Sequence, residues 1–277
     1  MKLFLIIYLA SISLFAQDTS QVNKDDKPQD EKENFFTPQV LKNKEALEEE
    51  DNLNLLRHQP LYFAYGDPSS KVQLSFKYRI IKDTPIYFAY TQIMFWDLKE
   101  DSKPFKDSTY NPEFIYTYDL EKKIFLDAID FGIWEHNSNG KSGDESRSFE
   151  RAFVRLNFAR EFKDVLFKFS TKIGYIYGLD KTNDDIRDYI SPLELKFSLI
   201  GVFQGWTMDR SSFDLRYFPG GDWAQDWGRG GYELSTSFRF GGLSIVPAFY
   251  MQYFRGYAES LINYNERVSE FRAGFIF

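Results

Sequence analysis

The sequence has no cysteine and only two histidines, His58 and His136, in 277 residues. Without cysteine there is neither a disulfide framework nor a thiol nucleophile. After the N-terminus no apolar run approaches the ~20 residues a membrane-spanning helix needs. The formal net charge of −7 weighs against a nucleic-acid partner. The length allows one large domain or two ordinary ones. What the chain does have is aromatic side chains: 29 Phe, 18 Tyr and 5 Trp, 19% of all residues. A soluble enzyme of this size rarely carries so many, yet a mean hydropathy of −0.44 is too low for a helical membrane protein.

The N-terminus reads MKLFLIIYLASISLFA, with Lys2 ahead of an apolar run and Ala16 closing it. This is the grammar of a secretory signal peptide over 1–16, with Leu14 a poor fit to the small residue usual near a cleavage site. Residues 17–57 change texture. QDTSQVNKDDKPQDEKEN is polar and poor in apolar residues, so 17–57 reads as an acidic, largely disordered periplasmic tail. Val40, Leu41, Leu47 and Leu55 are too sparse to build a core.

From residue 58 to 277 the period becomes two. In VQLSFKYRI, Val72, Leu74, Phe76 and Tyr78 alternate with Gln73, Ser75, Lys77 and Arg79. Successive strand side chains point to opposite faces, so this pattern makes one apolar and one polar face. ERAFVRLNF, GYELSTSFRF and VSEFRAGFIF repeat it, the last with Phe271, Ala273, Phe275 and Phe277 on one face. The alternation predicts strands over 60–66, 71–82, 85–97, 112–119, 123–136, 149–162, 164–177, 192–203, 206–218, 230–240, 243–254 and 268–277. About twelve strands is an even number, as a closed single-chain bacterial barrel prefers.

The connectors strengthen that reading. KDT, DLEKK and the turns around Lys163, Gly205 and Gly241–Gly242 are short, whereas those at the other end are mostly long, GDPSS excepted. Aromatics crowd the strand ends in FAYTQIMFWD and GDWAQDWG, where interfacial girdles sit. Phe277 resembles the terminal aromatic by which outer-membrane proteins are recognised for insertion. The expected fold is all-β: an antiparallel transmembrane β-barrel with short periplasmic turns and long extracellular loops, in the bacterial outer membrane. The competing fold is a soluble antiparallel barrel or sandwich, whose strands commonly run only ~5–6 residues.

Into this frame falls HNSNGKSGDESRSFER, residues 136–151, at the top of the fifth expected strand, through a loop, into the sixth. His136 and Ser138 are two apart and therefore in phase. Glu150 is in phase with Ala152, Val154, Leu156 and Phe158, the face expected to meet lipid. A charge there costs up to ~2–4 kcal/mol at mid-membrane and far less near the interface, so Glu150 calls for a donor, and His136 is the candidate. The phase of the fifth strand is ambiguous, since Asp127 and Asp130 fall on opposite faces. A serine hydroxyl needs an imidazole to take its proton. The imidazole in turn works best when a third group fixes its tautomer. On spacing alone the cluster reads either as such a triad or as a polar loop-and-girdle cluster.

The same segment resembles the active-site segment of the outer membrane phospholipase A family, H-x-S-N-G followed by S-R-S, an aromatic and N-R. YTQIMFWDL followed by KPFKDSTYNPE, and GYAESLINYN, are similar to two further segments of that family, in the same order. The resemblance covers most of residues 60–277. It implies a twelve-stranded barrel with its active site on the outer surface at the outer leaflet, Ser138 as nucleophile and His136 as general base. It also implies calcium at the oxyanion, held by the Ser146 hydroxyl, the Lys141 carbonyl and the Lys103 carbonyl of a second subunit, in a homodimer with Gln92 at the interface. Preference between sn-1 and sn-2 esters is not implied. Glu150 stands where the family usually has asparagine, which places the pH profile in question rather than the nucleophile. His58 reads as structural or solvated, Asp144 and Glu145 either as contributors to calcium or, more commonly for a run of loop acids, as solvated, and Asp222 and Asp226 as girdle and loop. A passive porin or structural barrel shares every fold-level feature, and only the site separates it from the hydrolase. A soluble lipid-binding barrel is the third class.

Overall fold

The structure, a computed structural model, describes residues 54–120, 125–163, 165–202, 208–240 and 247–277. The expected signal peptide, the tail up to residue 53, and the turns around Gly205 and at 241–242 lie outside the described residues, as does part of DLEKK. Thirteen strands follow in order: β1 (Leu55–Leu56), β2 (Tyr62–Gly66), β3 (Ser70–Arg79), β4 (Ile86–Trp96), β5 (Phe105–Asp119), β6 (Ala128–Ser138) and β7 (Ser148–Phe162). The series continues with β8 (Val165–Tyr177), β9 (Leu193–Ile200), β10 (Met208–Gly220), β11 (Asp226–Phe240), β12 (Ala248–Gly256) and β13 (Val268–Ile276). β2 to β13 pair antiparallel with their sequence neighbours, and β13 closes on β2. The result is a closed twelve-stranded barrel, so that each of β2 to β13 has a neighbour on both sides.

β1 pairs with β3 one step below β2, so the first lane of the barrel is interrupted at 57–61. Pro60 cannot donate to a ladder, and its carbonyl accepts from the Gln73 side chain at 2.7 Å. The interruption turns His58 into the interior, where its Nε2 meets Glu113 Oε1 at 2.8 Å. His58 is therefore a structural histidine, and the sheet starts three residues ahead of the expected boundary at 58.

The alternation resolves as an inside-out protein. Ile133 (67%), Tyr175 (68%) and Phe271 (58%) are exposed on the outer wall, whereas Arg272 and Lys168, each at 1%, are buried inside. Buried charges need partners. Glu135 accepts from Arg151 (3.0 and 2.6 Å) and Lys172 (2.5 Å). Elsewhere Lys71 pairs with Glu233 (3.1 Å) and Arg216 with Glu194 (2.7 Å). The interior cavity left by these side chains is only about 260 Å³. At the long-loop end, residues 178–192 and 257–267 meet in an apolar cap of Phe149, Ile176, Ile186, Leu261 and Tyr264. Tyr264 donates its hydroxyl proton to Asp185, tying the two loops together.

Two strands differ from the sequence expectation in a way that matters for the site. β5 begins at Phe105, not 112, because the polar stretch KDSTYN pairs along β4 as far as Trp96↔Phe105. Its hydrophilic side chains mask the alternation. β6 runs to Ser138, so the expected nucleophile sits in the sheet and not in the loop.

Candidate active site

β6 carries one extra residue. Gly132 faces Phe153 and Glu135 faces Arg151 on β7, so three steps on one strand match two on the other. On the other flank Phe114 faces Trp134 and Ile115 faces Gly132. This is a β-bulge at Ile133. Below it the even positions Ala128, Asp130 and Gly132 turn inward. Above it Glu135 and Asn137 turn inward, and Trp134, His136 and Ser138 form a file on the outer wall. The bulge explains the phase ambiguity of this strand, because a one-residue shift exchanges the two faces.

His136 and Glu150 are direct cross-strand partners, and His136 Nδ1 lies 2.8 Å from Glu150 Oε1. A carboxylate only accepts, so Nδ1 carries the proton and Nε2 is the basic nitrogen. The pair sits half-buried on the outer wall, its side chains 31% and 23% exposed. Glu150 Oε2 is buried and has no hydrogen-bond partner among the described residues. Gly178, at φ +59°, lies over Glu150, and a Cβ there would stand 2.8 Å from Glu150 Cγ. Both the left-handed backbone and the close approach require glycine.

Ser138 faces Ser148 on β7 and Tyr110 on β5. Its hydroxyl oxygen accepts from the Gly140 N–H at 3.2 Å. Among the described residues no hydrogen bond joins it to the His136 ring. Gly140 turns at φ +68° beneath the Tyr110 ring. Continuing the row, Tyr110 faces Gln92, and Gln92 faces Leu74. Gln92 thus lies on the outer wall, where its side-chain oxygen accepts from Tyr90 at 3.2 Å.

The loop from 139 to 147 is organised by Asn139, whose side chain accepts from Lys141 N–H (3.2 Å) and Arg147 N–H (3.0 Å) and donates to the Glu145 carbonyl (2.8 Å). Ser146 donates its hydroxyl proton to Asp180 at 2.8 Å. That bond turns the Ser146 lone pairs away from Asp180, free to meet a cation, with the carboxylate close behind. Asp180 also accepts from Thr182 N–H at 3.1 Å, and these donors hold its carboxyl below the usual range. Among the described residues no three His, Cys, Asp or Glu side chains cluster as metal ligands. The oxygens on hand are hydroxyl, carbonyl and one carboxylate, a donor set that fits calcium completed by water.

Ser146 and Lys141 share this loop. Lys103 stands on another, at φ +46°, its carbonyl accepting from Trp96 Nε1 at 2.9 Å with a second lone pair left over. Glu145 pairs with Lys141 at 2.9 Å and Asp144 is exposed, as solvated loop acids should be. Asp222 and Asp226 face Arg187 (3.8 Å) and Arg229 (3.5 Å) at the loop tips. Sequence reading missed Asp180, Asn139 and Gly178. Asp180 was hidden in an acidic loop, GLDKTNDD, whose composition reads as solvation.

Residues 15–277 match the phospholipase A1 family. The chain belongs to that family. Phospholipase A1 of Escherichia coli strain K12 is 31% identical over 182 residues, 64% of this chain and 56% of the relative. A putative phospholipase A1 of Neisseria meningitidis serogroup B is 28% identical over 224 residues, 75% of this chain and 54% of the relative. The chain therefore spans about half the length of the curated relatives it matches. Among solved structures, an active-site mutant of Escherichia coli outer membrane phospholipase A superposes with TM-score 0.64 at 24% identity, covering 80% of this chain and 91% of that one. The Salmonella typhi outer membrane phospholipase dimer with bound calcium gives TM-score 0.64 at 23% identity, covering 80% and 92%. These likenesses establish the twelve-stranded barrel shared with the phospholipase A1 family.

Proposed function

We propose that this chain is an outer-membrane phospholipase that hydrolyses acyl esters of phospholipids in the outer leaflet. The observation that carries the proposal is the His136–Glu150 bond, 2.8 Å long, on the lipid-facing wall one outward step from Ser138. A porin has no use for an imidazole ordered there, and the charged packing of the interior opposes a free bore.

In this reading Ser138 Oγ attacks the ester carbonyl carbon as His136 Nε2 takes its proton. Glu150 keeps Nδ1 protonated and stabilises the imidazolium. The Gly140 N–H, already aimed at Ser138 Oγ, donates to the oxyanion that develops beside it. His136 returns the proton to the leaving lysophospholipid oxygen. Water, activated by the same imidazole, then releases the fatty acid from Ser138. Calcium, when bound, supplies positive charge for the oxyanion. Ser146, with Asp180 behind it, and the Lys141 carbonyl would hold it from one subunit, and the Lys103 carbonyl from the other. The bound calcium and dimer of the Salmonella typhi structure support calcium and a second subunit, while the choice of these oxygens rests on the loop geometry of this chain. Gln92 on the outer wall supports a homodimer through that face, since an amide facing lipid has unmet donors.

Fatty-acid release from phospholipid–detergent micelles tests the proposal, with calcium, with chelator, and beside Ser138→Ala. Release should require both calcium and Ser138. Undiminished release by Ser138→Ala would remove the assignment.

A further inference from the structure

We infer that Trp134 is a positioning residue for the general base, a flat wall that fixes the plane of the His136 ring and so limits where Nε2 can point. The inference rests on the hydrolase reading above and deepens it. The Ile133 bulge puts Trp134 in the same outward file as His136 and Ser138. The indole and imidazole planes lie within 8° of parallel, with centroids 5.9 Å apart. Offset-stacked pairs occupy this range.

The need for such a wall follows from the rest of the site. One hydrogen bond, from Nδ1 to Glu150, pins one corner of the imidazole. The ring can still tilt about that bond, because the second torsion of histidine has broad wells. The tilt would carry Nε2 away from the serine, and a near-parallel indole blocks it. Trp134 is itself braced: its ring stands 5.8 Å from Phe114, which stands 5.5 Å from Phe88. The imidazolium formed during turnover would also lie within the ~6 Å at which an indole face attracts a cation.

The chain's two histidines make the test direct. Protein labelled in histidine gives two ring spin systems by NMR, and His136→Asn identifies the one at the site. Stacking on Trp134 should displace a His136 ring proton upfield. Trp134→Leu should abolish that displacement, and Trp134→Phe should retain part of it. In micelles with calcium, kcat of Trp134→Leu should fall about 10-fold at unchanged KM, given that misplacing a group by 1 Å costs about 10²-fold. Trp134→Phe should stay within about twofold of the parent, a ring still being present to block the tilt.

A long-chain alkylsulfonyl fluoride reads the same step without turnover. Ser138 Oγ bonds to sulfur, fluoride leaves, and His136 takes the proton, so sulfonylation should slow with kcat. If Trp134→Leu does not refold, Trp134→Met, also without a ring, replaces it. A folded ringless variant with parental kcat and sulfonylation rate would overturn the inference whatever its histidine shift, for the ring current reports only that the indole is near, and an indole serving only as girdle moves neither rate. Failure of the hydrolase reading looks different: Ser138→Ala would still release fatty acid, while the ring shift would persist.

Discussion

One residue apart on the same pair of strands, β6 and β7 hold two ionisable pairs with opposite fates. Glu135 and Arg151 meet inside the barrel, their side chains 2% and 10% exposed, with Lys172 and Asn137 completing the shell. His136 and Glu150 meet outside, on the wall facing lipid, with one carboxylate oxygen unpaired. The inner pair has every oxygen committed and can do little but hold two strands in register. The outer pair keeps one imidazole nitrogen free, and that free atom is where chemistry can occur. Identical backbone register thus yields a staple on one face and a candidate base on the other. The bulge at Ile133 decides which residue goes where.

Mutating the two pairs should separate these roles. The largest effect expected is on turnover: His136→Asn should lower fatty-acid release by on the order of 10³-fold or more, as loss of a base in a concerted unit does. Its resistance to denaturant should fall by only about 1 kcal/mol, the net worth of one hydrogen bond, since the Asn amide can still reach toward Glu150. Matched unfolding and activity curves on one preparation check both halves. Glu135→Ala should do the reverse, destabilising the barrel by about 3–5 kcal/mol because Arg151 and Lys172 are left buried and unpaired. Parental stability in that variant would erase the contrast between the faces.

Smaller effects sharpen it. Glu150→Gln keeps a carbonyl oxygen that can accept from Nδ1, so release should fall only about 10-fold, far short of the ~10⁴-fold that a wrong tautomer costs. The residual rate, compared with Glu150→Ala, measures how much of the role is orientation rather than charge. Asp180→Asn should weaken calcium about threefold to tenfold, in the lower range for partners behind a metal ligand, without altering refolding yield. Calcium titration of release at fixed lipid reads that directly.

The pH dependence at Asp180 has a definite sign. Its carboxyl is depressed by Thr182 N–H and the Ser146 hydroxyl, so loop order from these bonds is present above the ordinary carboxylate range. It is lost as pH falls through the depressed value. Half-saturating calcium should therefore be flat around neutrality and rise only in acid.

Much of this was legible in the residues themselves. Alternation in VQLSFKYRI and VSEFRAGFIF marks β3 and β13 because each carries one apolar and one polar face, and the structure puts Leu74, Phe76, Phe271 and Phe275 on the outer wall as that pattern requires. The pairing of His136 with Glu150 was legible from charge, a carboxylate on the lipid side calling for a donor, and not from phase, which the strand of His136 leaves ambiguous. What alternation does not reveal is any place where the period slips. Ile133 looks like one more strand residue, and only the register, which skips it against both β5 and β7, exposes the bulge. β5 was truncated for a related reason: in KDSTYN both faces are polar, so the period leaves no contrast. Asp180 escaped because its partner, Ser146, is 34 residues away and brought near by loop packing.

The outward file of Trp134, His136 and Ser138 also governs how an encounter with substrate would occur. In the proposed reading, a nucleophile on the lipid-facing wall is met sideways, by molecules moving in the plane of the bilayer, and none has to be lifted through water. The relevant concentration is then the mole fraction of phospholipid at the surface, not its amount per litre. Diluting a mixed micelle with buffer should leave the rate per molecule of protein unchanged, whereas diluting its lipid with detergent should slow it.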